Sequence, residues 1–125
     1  MPKRVLLVED EPNIVESLKF LLARAGFEVV VQANGREGLQ AARSAPPDVL
    51  ILDVMLPEIN GIEVLRQLRA EDTGSDLPIL MLTAKGQRED RERAIEAGAD
   101  IFLTKPFANA DLVSAVQSLA DGRPG

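Results

Sequence analysis

Five residues sit where they could do chemistry together. Glu9 and Asp10 directly follow the apolar run Val5-Leu6-Leu7-Val8. Asp53 follows Val49-Leu50-Ile51-Leu52, Thr83 follows Ile79-Leu80-Met81-Leu82, and Lys105 comes two residues after Ile101-Phe102-Leu103. Three carboxylates brought together repel one another and hold their protons unless a cation lies among them. A hard divalent ion suits an all-oxygen set, and Mg2+ is the natural choice, with Asp10 and Glu9 holding it. The chain has no Cys and no His, and no Ser stands at these positions, so the available nucleophile is a carboxylate. Carboxylate nucleophiles form aspartyl phosphates. Asp53 is the best placed, because it ends the most central run. Lys105 offers a charge and Thr83 a hydroxyl to the oxygens of a phosphoryl group.

Each residue also has a plainer reading. An Asp after a strand can simply cap the next helix, which would account for Asp10 or Asp53. Thr83 could do the same, and Lys105 could be an ordinary surface lysine. Their number and order are more informative than any one of them.

These residues need elements to position them. The apolar runs are short and continuous, the pattern of strands buried on both faces. Val29-Val30-Val31 is another, and Ile101-Phe102-Leu103 is the weakest. Helical patterns lie between the runs. Ile14, Leu18, Leu21, Leu22 and Ala25 share one helical face, with Pro12 suited to the first turn and Gly26 to the end. An Ala-rich second helix is predicted over 35–44, with Leu39 and Ala42 inward; Ala33 and Asn34 before it read as turn residues. A third covers 62–69, with Val64, Leu65 and Leu68 inward. A fourth runs from Gln87 to Ala97 and stops at Gly98, its inner face being Ala94, Ile95 and Ala97. A fifth covers 110–119, burying Leu112, Val113, Val116 and Leu119.

Five β-α units in one short chain imply an α/β fold: a doubly wound, five-stranded parallel sheet flanked by five helices. Open sheets of this kind place their sites at the carboxyl ends of the strands. In the flavodoxin-like order 2-1-3-4-5, strands one, three, four and five are contiguous, and the five polar residues converge on one cleft. Residues 1–120 read as one domain and 121–125 as a tail or the start of a linker.

Composition narrows the alternatives. Lys plus Arg is 14 and Asp plus Glu is 20, a formal net charge of −6, which disfavours non-specific nucleic-acid binding. Lack of Cys and His excludes disulfide scaffolds, thiol chemistry, Ser-His-Asp triads and His-ligated zinc. No window approaches the ~20 apolar residues of a membrane span. The basic start is cut short by Glu9, Asp10 and Glu11, so no signal peptide is read, and a cytoplasmic protein is expected.

The sequence resembles the CheY-like receiver domain of two-component response regulators over nearly its whole length, from Lys3 to about Leu119. The stretches that carry the resemblance are Val8-Glu9-Asp10-Glu11, Asp53 through Gly61, Leu82-Thr83-Ala84, and Gly98 through Phe107. The resemblance implies a phosphoacceptor that takes its phosphoryl group from a histidine kinase, a phosphotransfer protein or a small phosphodonor onto Asp53 with Mg2+. Glu9 and Asp10 match the acidic metal pair, with further contacts from Asp53 and the backbone carbonyl of Met55. Thr83 matches the switch hydroxyl, Phe102 the aromatic switch and Lys105 the site lysine, with a cis Lys105–Pro106 peptide. Taken alone, Phe102 is also an ordinary core residue. The responding surface would be helix four, strand five and helix five, read by an output domain or a downstream protein.

Some features depart from close relatives within that family. The charged pairs that build dimers of the winged-helix class are incomplete: Asp100 and helix four fit, but helix five lacks the basic residues, so a monomer or a weak phosphorylation-dependent dimer is expected. In that family the positions of Met55 and Lys85 flank the route of the hydrolytic water, so the resemblance implies that these two side chains border it here. Aspartyl phosphohydrolases place a second Asp where Met55 stands, which leaves only slow self-hydrolysis. A flavodoxin would need a phosphate-binding loop where Glu9-Asp10-Glu11 stands. The remaining alternative is a receiver-fold interaction domain that is not phosphorylated.

Overall fold

A computed structural model describes residues 2–72, 74–84 and 88–122. Its elements alternate strictly: β1 Arg4–Val8, α1 Pro12–Arg24, β2 Glu28–Gln32, α2 Gly35–Ser44, β3 Val49–Asp53, α3 Gly61–Arg69, β4 Ile79–Ala84, α4 Arg88–Ala97, β5 Ile101–Lys105 and α5 Asn109–Ala120. The strands form one parallel sheet in the order β2-β1-β3-β4-β5. The expected fold is the observed one. Gln87, Lys85 and residues 123–125 lie outside the described residues, so the start of the fourth helix is seen only from Arg88.

The apolar runs serve two cores at once, because successive strand residues face opposite sides. Leu6, Val8, Leu50, Leu52, Ile79 and Met81 pack on the side of α2, α3 and α4. Val5, Leu7, Val49, Ile51, Leu80 and Leu82 pack on the side of α1 and α5. Hence β1, β3 and β4 carry unbroken apolar sequence. The expectation of two-sided burial fails for β2. That strand is an edge, its residues are exposed or half-buried, and Val30 is exposed. β5, the other edge, has no buried residue.

The inner face expected for α4 needs a similar correction. Ala94 is buried and Ala97 half-buried, but Ile95 is 55% exposed, so this helix rests on the sheet through alanine. Val113 on α5 is likewise half-buried rather than buried. The far end of α4 is held by Arg69 at the end of α3. Its guanidinium donates to the carbonyls of Gly74 and Leu77, both at 2.7 Å, to that of Gly98 at 2.9 and 3.0 Å, and to Asp100 Oδ2 at 3.0 Å. Asp100 Oδ2 also accepts the Ile79 N–H at 2.8 Å. The aspartate that fits an intermolecular charge pattern is thus engaged within the chain. Arg69→Met keeps the stem but leaves three carbonyls without this donor. We expect a loss of about 2–3 kcal/mol in urea unfolding; a loss below about 0.5 kcal/mol would mean that water replaces the guanidinium freely.

Candidate phosphoacceptor site

The site lies at the carboxyl end of the sheet, beside the β1/β3 switch point where the strand order reverses. Glu9 continues β1 by one residue, its N–H donating to the Gln32 carbonyl at 3.1 Å. Asp53 ends β3 and Lys105 ends β5, while Thr83 is the penultimate residue of β4. Glu9, Asp53 and Thr83 are all buried, and Asp10 beside them is exposed.

Asp10, Asp53 and Thr83 cap no helix. The residue before α1 is Glu11, which makes no side-chain cap. α3 is capped by Asn60, whose side chain accepts from the Glu63 N–H at 3.0 Å. Thr83 lies within β4, and its Oγ1 is buried with no hydrogen-bond partner among the described residues. A buried hydroxyl left without a partner carries a free-energy cost, which is why such groups are rare. The capping readings of Asp10, Asp53 and Thr83 are therefore set aside.

Carboxylate oxygens of Glu9, Asp10 and Asp53 lie within 4.8 Å of one another. Lys105 is not a surface lysine: its Nζ donates to Glu9 Oε1 at 3.0 Å and lies 3.3 Å from Asp53 Oδ2. The other Glu9 oxygen, Oε2, accepts the Glu11 N–H at 3.1 Å. Burial and the charge of Asp53 push the Glu9 carboxyl above its ordinary range, against the pull of Lys105 and the Glu11 N–H. The stability Glu9 contributes is therefore complete below its ordinary value of 4.5 and is lost as pH rises through its higher folded value. Burial pulls the Lys105 ammonium down, but the hydrogen bond to Glu9 and the charges of Asp53 and Glu9 outweigh it and hold it above its ordinary value. Lys105 stays charged at neutral pH. The donor set is entirely oxygen, crowded and negative, and only partly neutralised by one lysine. It fits a hard divalent cation.

The sheet separates this cluster from its neighbours. By the two-residue period, Asp53 and Lys105 point toward the α1 and α5 side, as Ile51 and Leu103 do. Thr83 points the other way, as Met81 does. Phe102 pairs with Met81 across β4 and β5, is half-buried, and packs against the α2, α3 and α4 core. Lys105–Pro106 is a cis peptide, as the resemblance implies. The sequence reads Ala33 and Asn34 as turn residues and Gly35 as the start of the second helix. Asn34 caps α2 through the Glu37 N–H, and Gly35 lies against the loop after Asp53. The Asn-Gly-x-Glu pattern signalled the cap, but nothing local signalled the contact.

The fold and the acidic cleft define a small, flavodoxin-like domain of the CheY-like class. A family model described as the response regulator receiver domain matches residues 5–117, and the chain belongs to that family. It is 42% identical over 119 residues to the alkaline phosphatase synthesis transcriptional regulatory protein PhoP of Bacillus subtilis, covering 95% of this chain and 49% of that protein. It is 44% identical to the response regulator MprA of Mycolicibacterium vanbaalenii, covering 95% of this chain and 51% of that one. The chain thus spans about half the length of these relatives. Among solved structures, a putative response regulator from Chloroflexus aurantiacus is 39% identical with a TM-score of 0.92, covering 97% and 99% of the two chains. The receiver domain of a Pseudomonas aeruginosa sensor histidine kinase, which has a magnesium ion coordinated in its active site cleft, is 31% identical with a TM-score of 0.89 over the same shares. Among the described residues, no helix is long and apolar enough to cross a membrane.

Proposed function

We propose that residues 1–120 act as a phosphorylation-operated switch, with Asp53 as the phosphoacceptor. The observation that carries this reading is the cluster at the strand ends: three carboxylates within 4.8 Å, those of Glu9 and Asp53 buried and bridged by a lysine. A carboxylate oxygen of Asp53 attacks phosphorus. The bond from phosphorus to the imidazole nitrogen of a kinase phosphohistidine breaks, or the bond to the acyl oxygen of a small phosphodonor. The leaving group departs with the electron pair. Glu9, Asp10, Asp53 and the Met55 carbonyl would hold Mg2+, which neutralises negative charge on the transferring group. Lys105 remains paired to Glu9 and can shift toward the new phosphoryl oxygens.

Thr83 supplies the readout. Its unpartnered hydroxyl can donate to a phosphoryl oxygen, and its movement empties space beside Phe102, which turns inward to fill it. The surface of α4, β5 and α5 changes as a result, for an output domain or a downstream protein to read. The phosphodonor partner is a sensor histidine kinase or a phosphotransfer protein. The unit itself is a monomer or a weak phosphorylation-dependent dimer that binds no nucleic acid.

The metal is tested by titrating Mg2+ into the protein and following amide signals by NMR. Signals around Asp10 and Asp53 should move and saturate. Asp10→Asn should weaken binding by about tenfold or more, and Glu9→Gln by less, because Glu9 already has partners on both oxygens. Unmoved signals near Asp10 and Asp53 at saturating Mg2+ would sink the reading. For the switch, Thr83→Ala should leave phosphorylation of Asp53 largely intact and suppress the amide shifts in α4 and β5. The wild-type pattern of shifts in phosphorylated Thr83→Ala would disprove the coupling.

A further inference from the structure

The loop from β3 to α3, residues 54–60, carries the backbone beside Asp53, and it is held from the side of α2. Glu58 has φ +70°, a left-handed conformation that non-glycine residues seldom adopt. Next to it lies the first turn of α2. The Gly35 N–H donates to the Pro57 carbonyl at 3.1 Å. A Cβ at Gly35 would stand 1.8 Å from the Ile59 carbonyl oxygen and 2.7 Å from its carbonyl carbon. Backbone lies against backbone there, and only glycine allows it. Arg36 Nε reaches Glu58 Oε1 at 3.5 Å, with both side chains exposed.

The same helix is seated on β1. A Cβ at Gly38 would stand 2.7 Å from both Val8 methyls, and Gly38, Leu39 and Ala42 are buried. α2 therefore spans from the strand that delivers Glu9 and Asp10 to the loop that follows Asp53. Its seat is close-packed, whereas Met55, Pro57 and Glu58 in the loop are exposed. If the contact at Gly35 is overfilled, the loop is the side that gives.

We propose that the first turn of α2, through Gly35, is a positioning element for the loop: it fixes where the Met55 carbonyl lies relative to Asp53 and so sets the metal affinity of the site. This rests on the reading of the site as a metal-assisted phosphoacceptor. Gly35 touches neither the metal ligands nor the phosphoryl group. It acts through the peptide of Ile59 and the carbonyl of Pro57.

The experiment compares wild type, Gly35→Ala, Asn34→Ala and Arg36→Ala by amide NMR, first metal-free and then through an Mg2+ titration. Gly35→Ala should shift the amides of 54–60 in the metal-free protein, leave those of α1 and α5 in place, and raise the Mg2+ dissociation constant at least fivefold. Asn34→Ala removes the cap and frays the first turn without adding bulk, so it reports even where Gly35→Ala does not fold. It should raise the constant about threefold. Arg36→Ala removes only an exposed ion pair and should change it less than twofold. If wild type binds Mg2+ and the folded Gly35 and Asn34 variants bind it equally well, the positioning role is wrong. If wild type itself does not respond to Mg2+, the reading of the site is what fails, and the proposal falls with it.

Discussion

Asp53→Asn is expected to abolish phosphorylation by acetyl phosphate, cutting incorporation by about a hundredfold or more. The amide has the shape of the carboxylate but not its nucleophilic oxygen. No neighbour can take over. Both Glu9 oxygens are engaged, one by Lys105 and one by the Glu11 N–H. Asp10 is exposed and sits on the other side of the switch point, after β1. Intact-mass measurement reads the result directly: wild type gains one phosphoryl mass with Mg2+ present and none without it, and the variant gains none in either condition. A variant that still gains the full mass, with no second site found by peptide mapping, would remove Asp53 from the role of nucleophile.

Gly61→Ala is expected to cost about 3 kcal/mol, although it adds only a methyl group at the start of a helix. The new Cβ would stand 2.1 Å from the Asp53 carbonyl oxygen, 2.9 Å from its carbonyl carbon and 3.1 Å from Val54 Cα. All three are backbone atoms, so no rotamer change relieves the overlap. The Gly61 N–H also donates to the Val54 carbonyl at 2.9 Å, which ties the helix start to the same strand end. Either α3 lifts away from the sheet or the Asp53 peptide turns, and phosphorylation should fall along with stability. Gly26→Ala is the contrast. A Cβ there meets nothing within 4 Å, and only its φ of +98° opposes the change, at roughly 1–2 kcal/mol. Urea unfolding of both variants decides the matter: equal losses would mean that the contact with Asp53 relaxes at no cost.

The strands and their order were legible because the central runs are buried on both faces, which leaves an unbroken apolar signature in β1, β3 and β4. The same reasoning misjudged β2, since position at the edge of a sheet leaves no mark within Val29-Val30-Val31. Helix α4 misled for a related reason: helical periodicity places Ile95 near Ala94 without saying which side the sheet occupies. The acidic cluster could be read because every member directly follows an apolar run. Thr83 was ambiguous from sequence, since a cap and a buried unpartnered hydroxyl look alike until the helix start is placed. Gly35 and Arg69 were the least legible. Their roles depend on backbone from distant segments, 24 residues away for Gly35 and Ile59 and 29 for Arg69 and Gly98.

The alanine footing of α4 has a kinetic meaning. Opening a segment costs roughly the apolar contact and the hydrogen bonds that it gives up. Detaching α4 uncovers one buried side chain, Ala94, whereas detaching α3 uncovers Ile62, Val64, Leu65 and Leu68. Amide protons of α4 should therefore trade with solvent deuterium through a local excursion well below the global unfolding free energy, while those of β1, β3 and β4 wait for complete unfolding. The Arg69 clasp on Gly98 gives that excursion a direction, since the carboxyl end of the helix is pinned and the amino end must lift first.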